Sequence, residues 1–237
     1  MLIFIDVETT GLEKDDKICS IGIVAIENNE ISSKYELVNE GKKIQPKASS
    51  INHITNEMLK DRPKLVDTEL FAFLNKHNNE QTTIIGHNIN FDLEKLLACG
   101  FCFNGSVIDT LRVSKHLIPE SESYSLQFLR YELKLYKDEK SIALACGLDS
   151  EVISHNAVYD ALIVKLLYDY HIETTPYAKM CNLSFEKVLL EKFNFGKYSG
   201  RYIEDISMND RGYLEWMLSL DDLDEDLRYS IKYYLNS

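Results

Sequence analysis

Two acids, Asp6 and Glu8, stand one residue apart at the end of the apolar run Leu2-Ile3-Phe4-Ile5. Such a run reads as a strand buried on both faces, where a carboxylate is costly unless positive charge meets it. Side chains two apart share a strand face, so Asp6 and Glu8 point the same way and repel. No Lys or Arg lies nearby in sequence to relieve them. A bound divalent cation would. The competing reading ends the strand near Ile5 and leaves both acids in solvent.

Two later stretches repeat the pattern. In "IIGHNINFDLEKLL", Asp92 follows a buried strand and opens a helix with Leu93, Leu96 and Leu97 on its apolar face, although an acid in a first turn also complements the helix dipole. In "HNAVYDALIVKLL", Ala157, Asp160, Ala161 and Val164 fall at helical spacing, which puts Asp160 on the inward stripe. His155 precedes that helix on a loop. Each residue alone admits a structural role. Together they supply four carboxylates and a histidine at the edges of core elements. A two-metal phosphodiester site asks for that set: ions roughly 3.5–4 Å apart, carboxylates to bridge and flank them, and a base for the attacking water. Oxygen ligands select hard cations such as Mg2+ or Mn2+.

The elements that must position these residues alternate along the chain. Leu2–Val7, Ser20–Glu27 and Glu30–Val38 read as strands, the last two joined by a tight turn at Asn28-Asn29. Helices follow at Asn56–Leu59 and Val66–His77, then a strand at Thr82–Ile85 and a helix at Phe91–Ala98 stopped by Gly100. A short strand at Val107–Ile108, a helix at Asp109–Leu117 and one from Asn156 to about His171 complete this part. An antiparallel start followed by alternating strands and helices implies a mixed sheet flanked by helices.

Composition narrows the classes. The chain of 237 residues suits one sizeable domain with a small appendage. A net charge of −12 argues against a broad phosphate-gripping surface, so nucleic acid would need a local site with metal ions supplying positive charge. Neither a signal-peptide pattern nor a membrane-length apolar stretch occurs, and a cytoplasmic protein without membrane association is expected. Five scattered cysteines fit reduced thiols. Cys99 and Cys102 form a lone C-x-x-C with no second pair to complete a zinc site.

"DVETTG", "GHNINFD" and "HNAVYD" resemble, in order, the three exonuclease motifs of the DEDD superfamily in its histidine-containing branch. The resemblance covers roughly residues 1–171. It implies an α/β, RNase H-like fold with a mixed five-stranded sheet, and removal of nucleoside 5′-monophosphates from 3′ ends by two divalent cations, Mg2+ or Mn2+. By the same resemblance Asp6, Glu8, Asp92 and Asp160 hold the metals and His155 is the general base. The Thr9 region meets the terminal 3′-hydroxyl, Leu12 wedges against the terminal bases, and Asn88 orders the site. In "SINHIT", Asn52 stands where the family usually has histidine, so no catalytic role is assigned to His53.

The tail resembles the C-terminal segment of exodeoxyribonuclease X-like proteins in "FNFGKYSGR", "DRGYLEWML" and "DEDLRYSIKYYL". The implied organisation is an exonuclease domain at 1–172 and a small α+β domain at 185–237. The tail pattern reads as a strand, a glycine-bounded turn, a second strand and two helices. Its aromatics (Phe193, Phe195, Tyr198, Tyr202, Tyr213, Trp216), interleaved with Lys197 and Arg201, suit either base stacking or the core of a small domain. DNA, with single-stranded 3′ ends as substrate, is the expected partner. An RNA-trimming enzyme of the same fold and a non-catalytic polymerase-associated subunit are the alternatives. The oligomeric state stays open.

Overall fold

The computed structural model describes residues 1–148 and 156–236. Five strands, β1 (Leu2–Thr9), β2 (Ile18–Glu27), β3 (Glu30–Leu37), β4 (Thr83–Gly86) and β5 (Ser106–Asp109), form one sheet in the order β3-β2-β1-β4-β5. β1–β2 and β2–β3 pair antiparallel, whereas β1–β4 and β4–β5 pair parallel. Asn28 and Asn29 both take positive φ, 51° and 67°, as the tight β2–β3 turn requires.

The helices, numbered in chain order, are α1 (Pro46–Asn52), α2 (Asn56–Leu59), α3 (Glu69–Lys76), α4 (Ile89–Ala98), α5 (Thr110–Leu117), α6 (Leu126–Glu132), α7 (Glu139–Ala145), α8 (Ala157–Ile172), α9 (Tyr177–Leu183), α10 (Ile203–Asn209), α11 (Arg211–Leu218) and α12 (Glu225–Asn236), with β4 after α3 and β5 after α4. The sequence had not marked α1, α6, α7 or α9, all short. The Val66–His77 helix begins later than expected, since Leu65–Asp67 forms a separate 3-10 turn and Thr68 caps α3.

Period-two alternation sorts the sheet residues onto two cores. Ile3, Ile5 and Val7 of β1 pack with Ile21, Ile23, Ile84, α3 and α4 on one side. Phe4 faces the other way, against Val24, Ile85, Ile108 and α8. β1 is therefore buried on both faces, and Asp6 and Glu8 share the α8 side with Phe4. α8 is sandwiched between the sheet and α5–α7, so nearly its whole circumference is buried. Its close approach depends on Gly22, the cross-strand partner of Asp6: a Cβ there would overlap the backbone of Ala157 and Val158. Among the described residues no helix is long and apolar enough to cross a membrane.

The tail gathers Phe193, Ile203, Ile206, Leu214, Met217, Leu227 and Ile231 into a core of its own. The expected pair of strands reduces to a single antiparallel bridge, Lys192 with Tyr202, and three helices follow instead of two. Gly196 and Gly200 adopt φ of +71° and +80°, which coils the intervening chain into a 3-10 turn and prevents a ladder from extending. Asp226 of α12 joins the tail to α5. Arg112 grips it with two hydrogen bonds of 3.0 and 3.1 Å, and Lys115 lies 3.7 Å away.

Candidate active site

The carboxyl ends of β1, β4 and β5 lie at one edge of the sheet, where ligands of open α/β sheets are usually bound. A cleft of about 480 Å3 opens there, lined by Asp6, Glu8, His87, Asn88, Asp92, Gln127 and Asp160 among others. One ligating oxygen from each of Asp6, Glu8 and Asp160 lies within 4.8 Å of the other two. Asp92 shares the cleft but stands outside that trio, and its Oδ1 accepts the Val7 N–H at 2.9 Å.

Two helix N-termini feed this cleft. Asp160 lies in the first turn of α8, capped by Asn156, and Asp92 in the first turn of α4, so both acids receive the favourable end of a helix dipole. Asn88 caps α4 in the left-handed conformation at φ +66°, with its N–H donating to Asp109 Oδ1 at 3.0 Å. Asp109 also accepts the Leu111 N–H and so joins the starts of α4 and α5.

Dipoles do not neutralise four acids. Burial raises Asp6 well above the usual carboxylate range, and the charges of Asp92, Asp160 and Glu8 add to the effect. Glu8 is pushed up to about 8 by burial and by Asp160, against a hydrogen bond from Asn52. Asp92 is raised chiefly by burial, opposed by the Val7 N–H. Among the described residues no Lys or Arg forms an ion pair with Asp6, Glu8 or Asp92. Two nearby cations have strong partners of their own. Lys95 donates to the carbonyls of Glu13 and Asp16 at 3.0 and 2.9 Å, and Arg130 pairs with Glu139. Clustered carboxylate oxygens of this kind fit hard divalent ions.

Thr9, Leu12 and Asn52 line a neighbouring pocket of about 250 Å3 that shares Glu8 with the cleft. Lys95 pins the loop between β1 and β2 through those carbonyls, while Leu12 at its tip is 78% exposed. Asn52 Oδ1 accepts the Ile54 N–H, which turns its amide nitrogen toward the Thr9 carbonyl. His53 takes φ +59° as the cap of α1.

His87 is held from both sides. Its Nε2 donates to the Tyr124 carbonyl at 2.7 Å, its Nδ1 lies 3.0 Å from the Thr110 hydroxyl, and burial lowers it to about 4. A neutral ring so fixed is a brace between β4, α5 and the loop before α6. His155 lies outside the described residues.

Gln127 had no signal in the sequence. It donates from Nε2 to Asp160 Oδ1 at 2.7 Å, and its Oε1 accepts from Arg130 at 3.1 Å. Arginine only donates, so this contact fixes which end of the amide faces Asp160. Gln127 looks like any polar residue of a short helix until the fold sets it opposite α8. Gly22 is equally silent, because its reason lies in a helix far along the chain.

The family model described as Exonuclease matches residues 3–168, and one described as Exodeoxyribonuclease X-like C-terminal matches residues 193–219. The chain is 29% identical over 242 residues, covering 100% of both proteins, to Exodeoxyribonuclease 10 of Escherichia coli (strain K12). It is 29% identical over 168 residues to DNA polymerase III subunit epsilon of Treponema pallidum (strain Nichols), covering 64% of this chain and 76% of that one. Among solved structures, Exonuclease X in complex with 5′ overhanging duplex DNA superposes with a TM-score of 0.61 at 24% identity, covering 78% of this chain and 99% of that one. At that identity the likeness speaks for the mixed-sheet fold.

Proposed function

The chain belongs to the exonuclease family, within the DEDD superfamily of 3′→5′ exonucleases, and from that premise we propose that it hydrolyses DNA from 3′ ends to nucleoside 5′-monophosphates. The observation that carries this reading is the convergence of Asp6, Glu8 and Asp160 within 4.8 Å, with Asp92 in the same cleft. These four residues would hold two divalent cations, Mg2+ or Mn2+. When bound, the cations supply positive charge to the scissile phosphate and to the attacking water.

The chain's own residues do the rest. Gln127 orients the Asp160 carboxylate, and the Val7 N–H orients that of Asp92. The pocket beside Glu8 takes the terminal nucleotide, with Thr9 near its 3′-hydroxyl and Leu12 packing against the terminal bases. Asn88 holds the start of α4 in place. His155 accepts the proton of the attacking water. The bond that breaks joins phosphorus to O3′ of the penultimate nucleotide, so the phosphate leaves on the released nucleoside.

Full-length similarity to Exodeoxyribonuclease 10, tail included, favours DNA over RNA. A non-catalytic subunit would have no use for four acids held against their mutual repulsion. Residues 1–172 form the catalytic unit in this reading, and 185–237 form the appendage, whose separate core supports the division.

The test digests matched 5′-labelled single-stranded DNA and RNA oligomers with Mg2+ or Mn2+. Expected is a DNA ladder shortening from the 3′ end, with mononucleotide product and no reaction in EDTA. Intact DNA with either ion would refute the proposal, and faster loss of RNA would move it to the RNA-trimming alternative.

A further inference from the structure

The tail's aromatics divide into two groups. Phe193 is 2% exposed and belongs to the core, but Phe195, Tyr202 and Trp216 are 49%, 46% and 55% exposed. The rings are linked in a chain: Phe195 on Phe193, Phe193 on Tyr213 and Tyr213 on Tyr198 in T-shaped contacts, and Tyr213 on Trp216 tilted by 41°, with centroids 4.9 to 6.5 Å apart. Lys197 lies over Tyr198 at 4.6 Å and Tyr213 at 5.7 Å, and Lys192 lies over Tyr202 at 4.5 Å. The Tyr198 hydroxyl donates to Asp210, which caps α11, so the ring platform is fixed to the tail's own helices.

The charge here runs against that of the chain. Residues 192–203 carry Lys192, Lys197 and Arg201 with no acid among them, in a protein of net charge −12. Asp210 draws on Lys197 at 3.1 Å, but this pair is solvent-exposed and so cheap to exchange for a phosphate. Exposed aromatic faces interleaved with cations suit a ligand that offers flat apolar rings and anionic links in alternation.

We propose that this face is a second binding site, for single-stranded DNA, on which bases stack against Phe195 and Trp216 while Lys192, Lys197 and Arg201 meet the phosphates. The choice of DNA rests on the exonuclease reading of the cleft. The site is held near that cleft. Asp226 fastens the tail to Arg112 of α5. The first residue of the same helix, Thr110, has its hydroxyl 3.0 Å from His87 in the cleft wall. A strand whose 3′ end enters the cleft is thus gripped again further along, which would raise affinity for long strands without altering the chemistry.

Trp216 is the chain's one tryptophan, so its fluorescence reports this face alone. The full-length protein in EDTA, where no hydrolysis occurs, is titrated with a long oligothymidylate. Saturable quenching of Trp216 is expected, with Phe195→Ala weakening the affinity at least about fivefold, the loss of one stacked base. Lys197→Ala should reduce the salt dependence of binding. Turnover of a very short oligomer with Mn2+ should be unchanged in Phe195→Ala, with circular dichroism confirming its fold. Unquenched Trp216, or equal affinity in wild type and Phe195→Ala, would overturn the proposal. An inactive cleft would show separately, as quenching without digestion.

Discussion

Asp226, where the tail meets α5, and Asp6, in the cleft, are both shielded carboxylates in opposite electrostatic surroundings. Burial would raise Asp226, yet Arg112, the Val188 N–H and Lys115 hold it below the usual carboxylate range. Burial raises Asp6 and its neighbours raise it further, because they are Asp92, Asp160 and Glu8. A shielded acid matched by cations is a joint between parts of a fold. A shielded acid packed among acids carries repulsion that the proposed cations would relieve.

The largest test of that contrast compares one substitution in each region. Asp226→Ala leaves Arg112 without its carboxylate partner and should cost about 3 kcal/mol in chemical denaturation, while the cleft still digests short oligomers. Asp6→Asn removes repulsion and should raise the melting temperature of the metal-free protein while abolishing digestion. Equal signs for the two stability changes would break the comparison.

Gly22→Ala comes next. The added methyl must push α8 off β2 and carry Asp160 away from Asp6. The expected cost is about 1–3 kcal/mol of stability. Turnover should fall on the order of 100-fold, as expected for a misplacement near 1 Å. A variant with normal turnover would show that the spacing of Asp6 and Asp160 is not set by this contact.

A further effect is in pH. Glu8 titrates near 8 in the folded metal-free protein against 4.5 ordinarily, so the native state binds more protons between those values. Stability should therefore fall as pH rises through that window, the reverse of what Asp226 contributes at lower pH. By calorimetry the metal-free melting temperature should drop by several degrees, and Glu8→Gln or saturating Mn2+ should flatten the trend.

The cleft acids were legible in sequence by where they stand: two extend an apolar strand, one follows a buried strand and opens a helix, and one lies on an inward stripe. The residues that position those acids gave no such signal. Gln127 is an ordinary helix residue, and Gly22 an ordinary strand residue, until α8 packs on them. Asp160 was legible for a partial reason, since α8 is buried almost all round and its stripe distinguishes little. In the tail, the glycines read as a hairpin turn, but their positive φ values coil the chain instead. The aromatics there could not be divided by pattern, because Phe193 and Phe195 differ only in which way the backbone turns them.

The most direct measurement is a calorimetric titration of the metal-free protein with Mn2+ near neutral pH, in two buffers of different ionisation enthalpy. Wild type should bind with release of protons to the buffer, because Glu8, held at about 8, surrenders its proton to the incoming charge. Asp6→Asn should bind far more weakly. Identical binding in the two proteins, or binding with no proton released, would contradict the assignment of these carboxylates to cations.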